Sequence, residues 1–449
     1  MDKRHSIFIN QDIRKIFTLA WPVMIGSILQ TLLSTVDTYF ISNLGTSEAA
    51  AASLGNSASS VVFVMSALVS AGTIALVSRS YGNNRMEDVI RFSGQSITLS
   101  AIAGGILGIL CFMYTDEIIT LAFNAGPEES ALAGEYLSVI FLGTIFVFLN
   151  SALRTVFQAL GDTKTPLYIF GISNIINAVL DPVFMFPLKM GIKGAAVATV
   201  FSTIFSFLAM YYLLIKKLYA SSICACLRSL RLHFNDSIRL LRIGGWACIQ
   251  NIARPITGML MFSLVYKVGG KEATAAFGIG GQLFNYTFIL ITGLSTAIAI
   301  MVGQSLGMGD KKSCDRIISE GLKLSAINMA IFAVPYVIIP EPIIRIFIDD
   351  PLVVQNGAAY LRIVYIGVIF TIFTSTYGGA FQGSGNTFPP MVSSLVANVA
   401  LKLIIAYVLA STLHLGTIGV WIAISASVLI EAAILSVYYK KGKWKETEI

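Results

Sequence analysis

Apolar runs of about twenty residues alternate with short polar stretches along almost the entire chain. A run of this length is what an α-helix needs to cross the hydrocarbon core of a bilayer. Because no water is available there to bind exposed backbone groups, each span must satisfy its own hydrogen bonds as a helix. The pattern predicts about twelve spans, at 15–43, 51–80, 92–115, 134–157, 166–187, 192–218, 237–267, 275–305, 317–339, 357–382, 389–411 and 416–440.

The composition indicates the same class of protein. The 449-residue chain has only 12% charged residues and a mean hydropathy of +0.77, which is typical of an all-α polytopic membrane protein surrounded by a lipid bilayer. The sequence has no phosphate-binding loop and no dinucleotide fingerprint. Its three histidines form no metal-binding pair. We therefore expect neither an enzyme nor a bound cofactor.

The basic residues are distributed unevenly among the predicted loops. With both termini inside, the outer loops hold only Lys189, Lys193, Lys267, Lys271 and Arg345, and most other basic residues lie in inner segments. This asymmetry predicts a plasma or inner membrane protein with both termini in the cytoplasm. We attribute the net charge of +7 to this topology rather than to nucleic-acid binding. The long first run, with no small-residue cleavage site, predicts no cleaved leader.

The chain carries one pattern twice, at a spacing of about 224 positions. The matching pairs are Glu48 and Glu272, Gln158 and Gln382, Gly161 and Gly385, Thr163 and Thr387, Pro166 and Pro390, and Asn174 and Asn398. Transporters are commonly built from such repeats. We expect an N-lobe at 1–218, a cytoplasmic linker at 219–236 and a C-lobe at 237–449. The two lobes would be pseudo-symmetric, with six helices each, around a central cavity.

The two halves differ in the polar residues within their spans. The first half has Asp37, Asn177, Asp181 and Thr199, where the second has Met261, Leu401, Ile405 and approximately Ile424. Charged side chains at membrane depth are costly, and they are usually paired, exposed to water or functional. The first half therefore has polar groups that the repeated architecture does not require.

Helix geometry predicts that these four side chains converge. Asp37, Asp181 and Thr199 each lie about six residues from the outer end of a span, or roughly 9 Å deep at about 1.5 Å per residue. Asn177 precedes Asp181 by one helical turn and shares its face. Oxygen ligands suit a hard cation such as Na⁺, and two neighbouring carboxylates can share a proton. We predict a coupling-ion site; the alternative is that Asp37 bridges helices permanently and Asn177 only packs.

Other polar residues within the spans are candidates for cavity or gating roles. They are Gln30, Asn150, Asn174 and Arg254. Arg254 would either gate the cavity and discourage cations, or be held by carbonyls around the Pro255 break. Lys402 and Glu431 are expected at similar depths, where we favour a structural ion pair over a functional relay.

Several sequence motifs together resemble one transporter family. They are Trp21-Pro22, Val36-Asp37-Thr38, the inner loop 158–166, Asn177-Ala-Val-Leu-Asp181-Pro182 and Gly194-Ala-Ala-Val-Ala-Thr199. This combination is similar to the multidrug and toxic compound extrusion (MATE) transporters. The resemblance implies a two-lobe, twelve-helix exporter whose ion site is Asp37, Asn177, Asp181 and Thr199, and whose first helix bends at Pro22. Members of the NorM-like branch carry acidic residues in the C-lobe cavity. Here the seventh and tenth spans offer no acidic residue and instead contain Gln250, Asn251, Arg254, Thr374, Ser375 and Tyr377. The chain therefore resembles the DinF-like branch more, which puts a C-lobe cation site in doubt.

We therefore expect a secondary active antiporter that exchanges H⁺ or Na⁺ for small organic compounds, which are often cationic. Ion binding at the N-lobe site would rearrange the first helix near Pro22 and disfavour bound drug, after which the lobes would rock. We expect a monomer. The alternative is a flippase for a lipid-linked or other amphiphilic substrate, which would favour cationic cavity residues. A membrane enzyme or scaffold is disfavoured by the internal duplication and the lack of clustered catalytic side chains.

Overall fold

A computed structural model describes residues 3–123, 126–219 and 229–447 of the chain. Within these ranges the regular structure is helical and contains no strand. The helices are α1 (Lys3–Ser42), α2 (Thr46–Met65), α3 (Ala67–Gly82), α4 (Met86–Met113), α5 (Thr115–Phe123), α6 (Pro127–Ala159), α7 (Lys164–Met185), α8 (Gly191–Leu218), α9 (Phe234–Gly307), α10 (Lys311–Ile338), α11 (Pro340–Arg345), α12 (Pro351–Val368), α13 (Thr371–Ser384), α14 (Phe388–Ser394), α15 (Lys402–Tyr407) and α16 (Gly416–Lys440). This confirms the predicted all-α class.

The number of membrane crossings agrees with the prediction from the sequence. Among the described residues, ten helices are long and apolar enough to cross a membrane, and the pair α12 and α13, bent by 43°, makes an eleventh. Helix α9 is 74 residues long and is interrupted at Gly270, whose φ of 69° and ψ of −160° are not helical. Each part of α9 is long enough to cross a bilayer, so counting them separately brings the candidate spans among the described residues to the twelve that the hydropathy predicts.

The chain divides into two compact units. One comprises Pro22–Cys248, and the other comprises Ile249–Ile449 together with the chain before Pro22. Helix α1 is continuous across this division, and Pro22 lies inside it. Proline lacks the amide hydrogen that would bond the carbonyl one turn earlier, so the first helix is weakest at this boundary. Pro22 therefore occupies the position expected for a bend.

The repeated inner loops use the same turn in both units. Gly161 follows α6 with a φ of 84°, and its repeat partner Gly385 follows α13 with a φ of 80°. Both angles lie in the left-handed region, which glycine adopts without steric cost. Gly385 also ends α13 as a left-handed cap. The matching glycines in the sequence thus mark equivalent helix ends.

Helices α7 and α8 form the frame that positions the polar residues of the first unit. The buried side chains of α7 recur every four residues, at Ile169, Ser173, Asn177, Asp181 and Met185. Such a spacing keeps them on one face of the helix. The facing side of α8 is lined by small side chains, including Ala195, Ala196, Ala198, Ser202 and Ser206. Small residues allow two membrane helices to approach closely, which brings the α7 polar groups against α8.

The described part of the linker packs on α4 within the first unit. The Gln95 side chain, fully buried, accepts from the His233 N–H at 2.9 Å and from the Ser237 hydroxyl at 3.2 Å. Arg91 forms an ion pair with Asp236 at 3.0 Å. The chain entering α9 is therefore anchored to α4. The other predicted linker residues, including Cys224 and Cys226, lie outside the described residues.

The second unit has a large apolar core and irregular helical segments. Its core includes Met261, Tyr360, Tyr365, Ala406 and Trp421. The eleventh predicted span is interrupted by two π-helical segments, Leu395–Leu401 and Val408–Thr412. The corresponding span of the first unit, α7, is regular α-helix. The repeat is thus preserved in helix order but not in the local winding of this span.

Candidate ion-coupling site

The structure brings the four predicted ion-site residues together in the first unit. Asp37 comes from the last turns of α1, Asn177 and Asp181 come from α7, and Thr199 comes from α8. Asn177 and Asp181 have no exposed surface. Asp37 and Thr199 are half-buried. We call these four side chains the ion pocket.

Asn177 connects the members of the ion pocket. In one orientation of its amide, Nδ2 donates to Asp181 Oδ1 and to Thr199 Oγ1, both at 3.3 Å. In the reversed orientation, the amide donates to Asp37 Oδ1 at 3.0 Å and accepts from the Thr199 backbone N–H at 3.2 Å. The reversed orientation satisfies both ends of the amide. Either way, Asn177 joins a carboxylate on one helix to Thr199 on another.

The two carboxylates face each other without a donor between them. The Asp37 and Asp181 side chains lie within hydrogen-bonding reach of one another. Asp181 Oδ2 is buried and has no hydrogen-bond partner in the described part of the chain. Two ionised carboxylates at this separation repel, and a buried acceptor without a donor is costly. The arrangement therefore has a place for one proton or one cation.

The donor set suits a proton or a hard monovalent cation. Asp37, Asp181, Asn177 and Thr199 each present an oxygen atom, and hard cations prefer oxygen ligands. No group of three or more His, Cys, Asp or Glu side chains that could hold a metal ion occurs among the described residues. A transition-metal centre of that kind would need softer or more numerous charged ligands. The pocket can accordingly bind one H⁺ or one Na⁺, which changes the summed charge of its two carboxylates from −2 to −1.

Sequence reasoning missed Tyr136, which lies beside the ion pocket. Tyr136 belongs to α6 and is 4% exposed. Its phenol interacts electrostatically with both the Asp37 and the Asp181 carboxylates. It also fills the space above Gly55, where a Cβ atom would collide with its ring. The residue lies just inside the fourth predicted span, and its repeat partner is Tyr360. That pairing of tyrosines was the available signal.

The other candidate cavity residues of the first half have ordinary partners or none nearby. Asn150 Nδ2 donates to the Thr203 carbonyl at 2.8 Å, and Asn174 Nδ2 donates to the Leu29 carbonyl at 3.3 Å. Both amides thus join neighbouring helices. Gln30 is exposed. The structure does not bring Gln30, Asn150 or Asn174 into hydrogen bonds with the ion pocket.

In the second unit, Glu431 has a different partner from the one the sequence indicates. Its carboxylate lies 3.7 Å from the Arg254 guanidinium and accepts from Asn398 Nδ2 at 2.9 Å. Lys402 makes no ion pair within 4 Å in the described chain, so the expected Lys402–Glu431 pair is not formed. Arg254 also lies over the Phe288 ring at 5.4 Å. Arg254 is therefore held by a carboxylate and an aromatic face.

Comparisons with known proteins agree with this fold. The MatE family model matches residues 22–183 and 247–408, once in each half of the chain. The chain is 29% identical to "Probable multidrug resistance protein NorM" of Thermotoga maritima, covering 99% of this chain and 98% of the relative. It is 24% identical to a protein named "FAD transporter" of Shewanella oneidensis, covering 92% of this chain and 90% of that protein.

A solved structure described as MATE in the bent conformation has the same fold. It aligns with a TM-score of 0.90 over 100% of both chains, at 21% sequence identity. The family model covers most of the chain, and the fold, the duplication and the apolar spans agree with it. The chain therefore belongs to the MatE family, the multidrug and toxic compound extrusion transporters, and is a multi-pass membrane protein rather than an enzyme.

Proposed function

We propose that this transporter is a secondary active antiporter that exports organic compounds in exchange for H⁺ or Na⁺, and that the ion binds in the ion pocket. The observation that carries the proposal is the buried contact between Asp37 and Asp181, in which Asp181 Oδ2 has no donor among the described residues. Two neighbouring ionised carboxylates repel each other, and one proton or monovalent cation bound between them removes this repulsion and leaves a single negative charge. Such a pair binds its ion reversibly when the surroundings change.

The cargo is proposed from the relatives. The Thermotoga maritima relative is named for multidrug resistance, and the Shewanella oneidensis relative is named for FAD. One name refers to drugs and the other to FAD, so both refer to small organic molecules. We propose the same broad class for this chain, with both termini in the cytoplasm of a cell membrane and one chain as the working unit.

Coupling follows from a difference in ion affinity between two states. If bound ion and bound drug disfavour one another, each lowers the affinity for the other by the same factor. Asp37 is on α1, which also contains Pro22, so a change in the charge of Asp37 acts on the helix that is weakest at that proline. We propose that neutralising the carboxylates shifts α1 between two conformations and that the drug binds better to the ion-free one.

The contact between the two carboxylates favours a proton as the coupled ion. One proton placed between Asp37 and Asp181 provides the missing donor for Asp181 Oδ2. A Na⁺ ion would instead need several oxygen atoms, including those of Asn177 and Thr199. Substitutions of the carboxylates and of the neutral ligands therefore have different consequences for the two ions.

The experiment is transport in vesicles that contain the purified protein. Efflux of a lipophilic cationic dye is measured with a pH gradient alone and with a Na⁺ gradient alone. For a proton site, Asp181→Asn abolishes pH-driven efflux, while Thr199→Ala retains most of it. For a Na⁺ site, Thr199→Ala and Asn177→Ala both weaken Na⁺-driven efflux strongly. If neither gradient drove dye efflux by the wild-type protein, the proposed antiport would be wrong.

A further inference from the structure

A cluster of polar side chains in the second unit is separate from the residues of the ion pocket. Its members are Arg254 on α9, Asn398 in the π-helical segment Leu395–Leu401, Lys402 at the start of α15 and Glu431 on α16. We call them the basic cluster. Two cations and one carboxylate leave this cluster with a formal charge of +1. The cluster lies within predicted spans, where an unbalanced charge is costly.

Arg254 has donors that its protein partners do not use. Its closest contact with Glu431 is 3.7 Å, which is longer than a hydrogen bond. The other Glu431 oxygen accepts from Asn398 at 2.9 Å. Within the described ranges, no hydrogen bond involves the guanidinium, which can donate five. The Arg254 side chain is 38% exposed. At membrane depth, a charged guanidinium is far more stable when it faces a water-filled cavity than when it faces lipid.

Lys402 is the second cation with unused donors. The ammonium interacts electrostatically with the Glu431 carboxylate and with the Arg254 guanidinium, so the three charges lie close together. In the part of the chain that the structure describes, the ammonium has neither a hydrogen bond nor an ion pair within 4 Å. An ammonium can donate three hydrogen bonds. A lysine within a membrane span is costly unless its charge is paired. Because Lys402 has no such partner among the described residues, we infer that it pairs with a group outside the protein.

The local helix geometry supports a binding role for this cluster. The π-helical segment Leu395–Leu401 ends directly before Lys402 and contains Asn398. π-Helical turns inside α-helices are rare and occur frequently at functional sites. Asn398, whose side-chain amide donates to the Glu431 carboxylate, lies in this wider turn. Glu431 is only 5% exposed, so it serves as a fixed anchor beside Arg254.

The cluster also has an aromatic surface beside its charge. The Arg254 guanidinium lies over the Phe288 ring at 5.4 Å, and Phe288 stacks with Phe284 at 5.8 Å between ring centroids. An arginine placed on an aromatic face keeps its planar edge free for a carboxylate or a phosphate. A ligand with an anionic group next to an aromatic system would match both features.

We propose that Arg254 and Lys402 form an anion subsite that takes a carboxylate or phosphate group of an amphiphilic organic substrate. Glu431 and Asn398 hold Arg254 in position and do not contact the anion. The inference rests on the proposed export of organic compounds and narrows their class. The transporter accepts compounds that carry a negative group as well as compounds that carry only a positive one, and the basic cluster discriminates between them.

The experiment compares two dyes that differ only in the anionic group. One is a xanthene dye with a free carboxylate, and the other is its methyl ester. Binding of each to the purified wild-type protein in a neutral detergent is measured by fluorescence anisotropy. We expect the carboxylate dye to bind about tenfold more tightly than the ester, as charge-assisted hydrogen bonds would give. Equal affinity for both dyes, or no binding of either, would overturn the subsite.

Two variants test the assignment to these residues. Lys402→Gln leaves the Arg254–Glu431 contact intact and should remove most of the preference for the carboxylate dye. Arg254→Gln combined with Glu431→Gln avoids an unpaired buried carboxylate and should have the same effect. Lys323→Gln combined with Glu320→Gln is a matched control, because it removes a Lys–Glu ion pair of 2.7 Å within α10 without leaving a buried carboxylate unpaired. Unchanged preference in both cluster variants would overturn the proposal, and so would an equal loss in the control.

The source of the anion is tested in vesicles of neutral lipid and of lipid with an anionic headgroup. A subsite that takes a substrate anion predicts the same preference for the carboxylate dye over the ester in both kinds of vesicle. A subsite occupied by a lipid headgroup predicts that anionic lipid abolishes this preference, which would overturn the proposal. Failure of the proposed antiport has a different outcome. In that case, neither ion gradient would drive efflux of the ester, while the carboxylate preference and its loss in Lys402→Gln would persist.

Discussion

The two compact units have the same framework but use its interior differently. In the first unit, Gly55 lies against the Tyr136 ring so closely that a Cβ atom has no room, and in the second Gly280 lies against Tyr360 in the same way. Both tyrosines are 4% exposed. Equivalent close contacts in two halves of one chain show that the duplication includes helix packing and not only hydropathy. Side chains placed on similar helix frames therefore account for one class of difference between the units.

Aromatic residues occupy the second frame where small residues occupy the first. Trp421 follows Gly419 by two positions, and Ala196 follows Gly194 by two positions. The two glycines are equivalent, since a Cβ atom on either would collide with the backbone of the preceding helix. Trp421 packs edge-on against Tyr360 at 4.9 Å. The second unit is filled by apolar packing, whereas the first has small residues near the helices that carry its carboxylates.

The winding of the eleventh span adds a second difference. Gly419 lies one position farther along than the offset between Asn174 and Asn398 would place it. A π-helical turn includes one more residue than an α-helical turn, and two such segments occur in this region. The counterpart of Asp181 is thus Ile405 or, one residue farther along, Ala406. Both residues pack in the apolar core of the second unit.

The largest expected effect separates the two units by function. Asp37→Asn keeps the size of the side chain and removes its charge, so the ion pocket loses its means of coupling. We expect gradient-driven efflux to fall by about tenfold or more, since coupling free energies are typically about 1–3 kcal/mol. Vesicle transport measures this effect, and circular dichroism checks that the variant is folded. Efflux at the wild-type rate would mean that Asp37 only bridges helices.

The next largest effect is a loss of stability caused by a cavity in the apolar core of the second unit. Trp421 has no exposed surface and packs among Phe277 and Tyr360. Trp421→Ala should destabilise the protein by about 3–5 kcal/mol, because a large cavity remains. Thermal unfolding in detergent, followed by tryptophan-independent far-ultraviolet circular dichroism, measures the change.

A conservative variant shows whether packing is the cause. The indole Nε1 of Trp421 has no hydrogen-bond partner in the described structure, so Trp421→Phe loses some packing but no hydrogen bond. We expect it to cost much less than Trp421→Ala. Equal destabilisation by the two variants would assign the effect to the indole N–H instead of to packing in the second unit.

The sequence predicted the features that follow from hydropathy and helical spacing. The prediction of about twelve spans follows from the apolar runs. The convergence of Asp37, Asn177 and Asp181 follows from their depth and from the four-residue spacing on α7. These are local or periodic properties, so a single chain shows them directly. The left-handed turns at Gly161 and Gly385 were also marked by matching residues.

The sequence could not predict which side chain meets which across helices. Glu431 and Lys402 have similar depths, but depth along a span does not fix rotation about the helix axis. Here the π-helical turn before Lys402 changes that rotation, and Glu431 contacts Arg254 and Asn398 instead. Tyr136 was missed for the same reason, because its position beside the carboxylates depends on packing between α6 and α7 and not on its own neighbours in sequence.

A smaller effect tests the apolar counterparts of the ion pocket. Met261 is the counterpart of Asp37, is 1% exposed and belongs to the core of the second unit. Met261→Leu conserves volume, so we expect a cost below about 1.5 kcal/mol and unchanged ion dependence of transport. Thermal unfolding and vesicle efflux measure the two quantities. A change in ion dependence would show that the second unit also takes part in coupling.

The smallest effect concerns the matching inner loops and their response to acid. Asp162 in the first loop accepts from the Thr165 N–H at 3.0 Å and also binds Lys217. Burial alone would raise the pKa of Asp162, but the hydrogen bonds from Lys217 and Thr165 outweigh burial and lower it. The repeat position in the second loop is Asn386, which does not titrate. Only the first loop should therefore respond to acid.

The sign of this response follows from the lowered pKa. A carboxylate with a lowered pKa stabilises the folded state above the ordinary pKa of about 3.9, and this stabilisation is lost as the pH falls through the lower value. Amide exchange protection at 160–166 should thus decrease as the pH falls below about 4, while protection at 384–390 stays constant. Asp162→Asn should make the first loop as insensitive to acid as the second. The contrary outcome is an equal decrease of exchange protection in both loops, with or without Asp162→Asn. That result would mean that acid loosens the whole protein and that the Lys217–Asp162 contact does not stabilise the first loop.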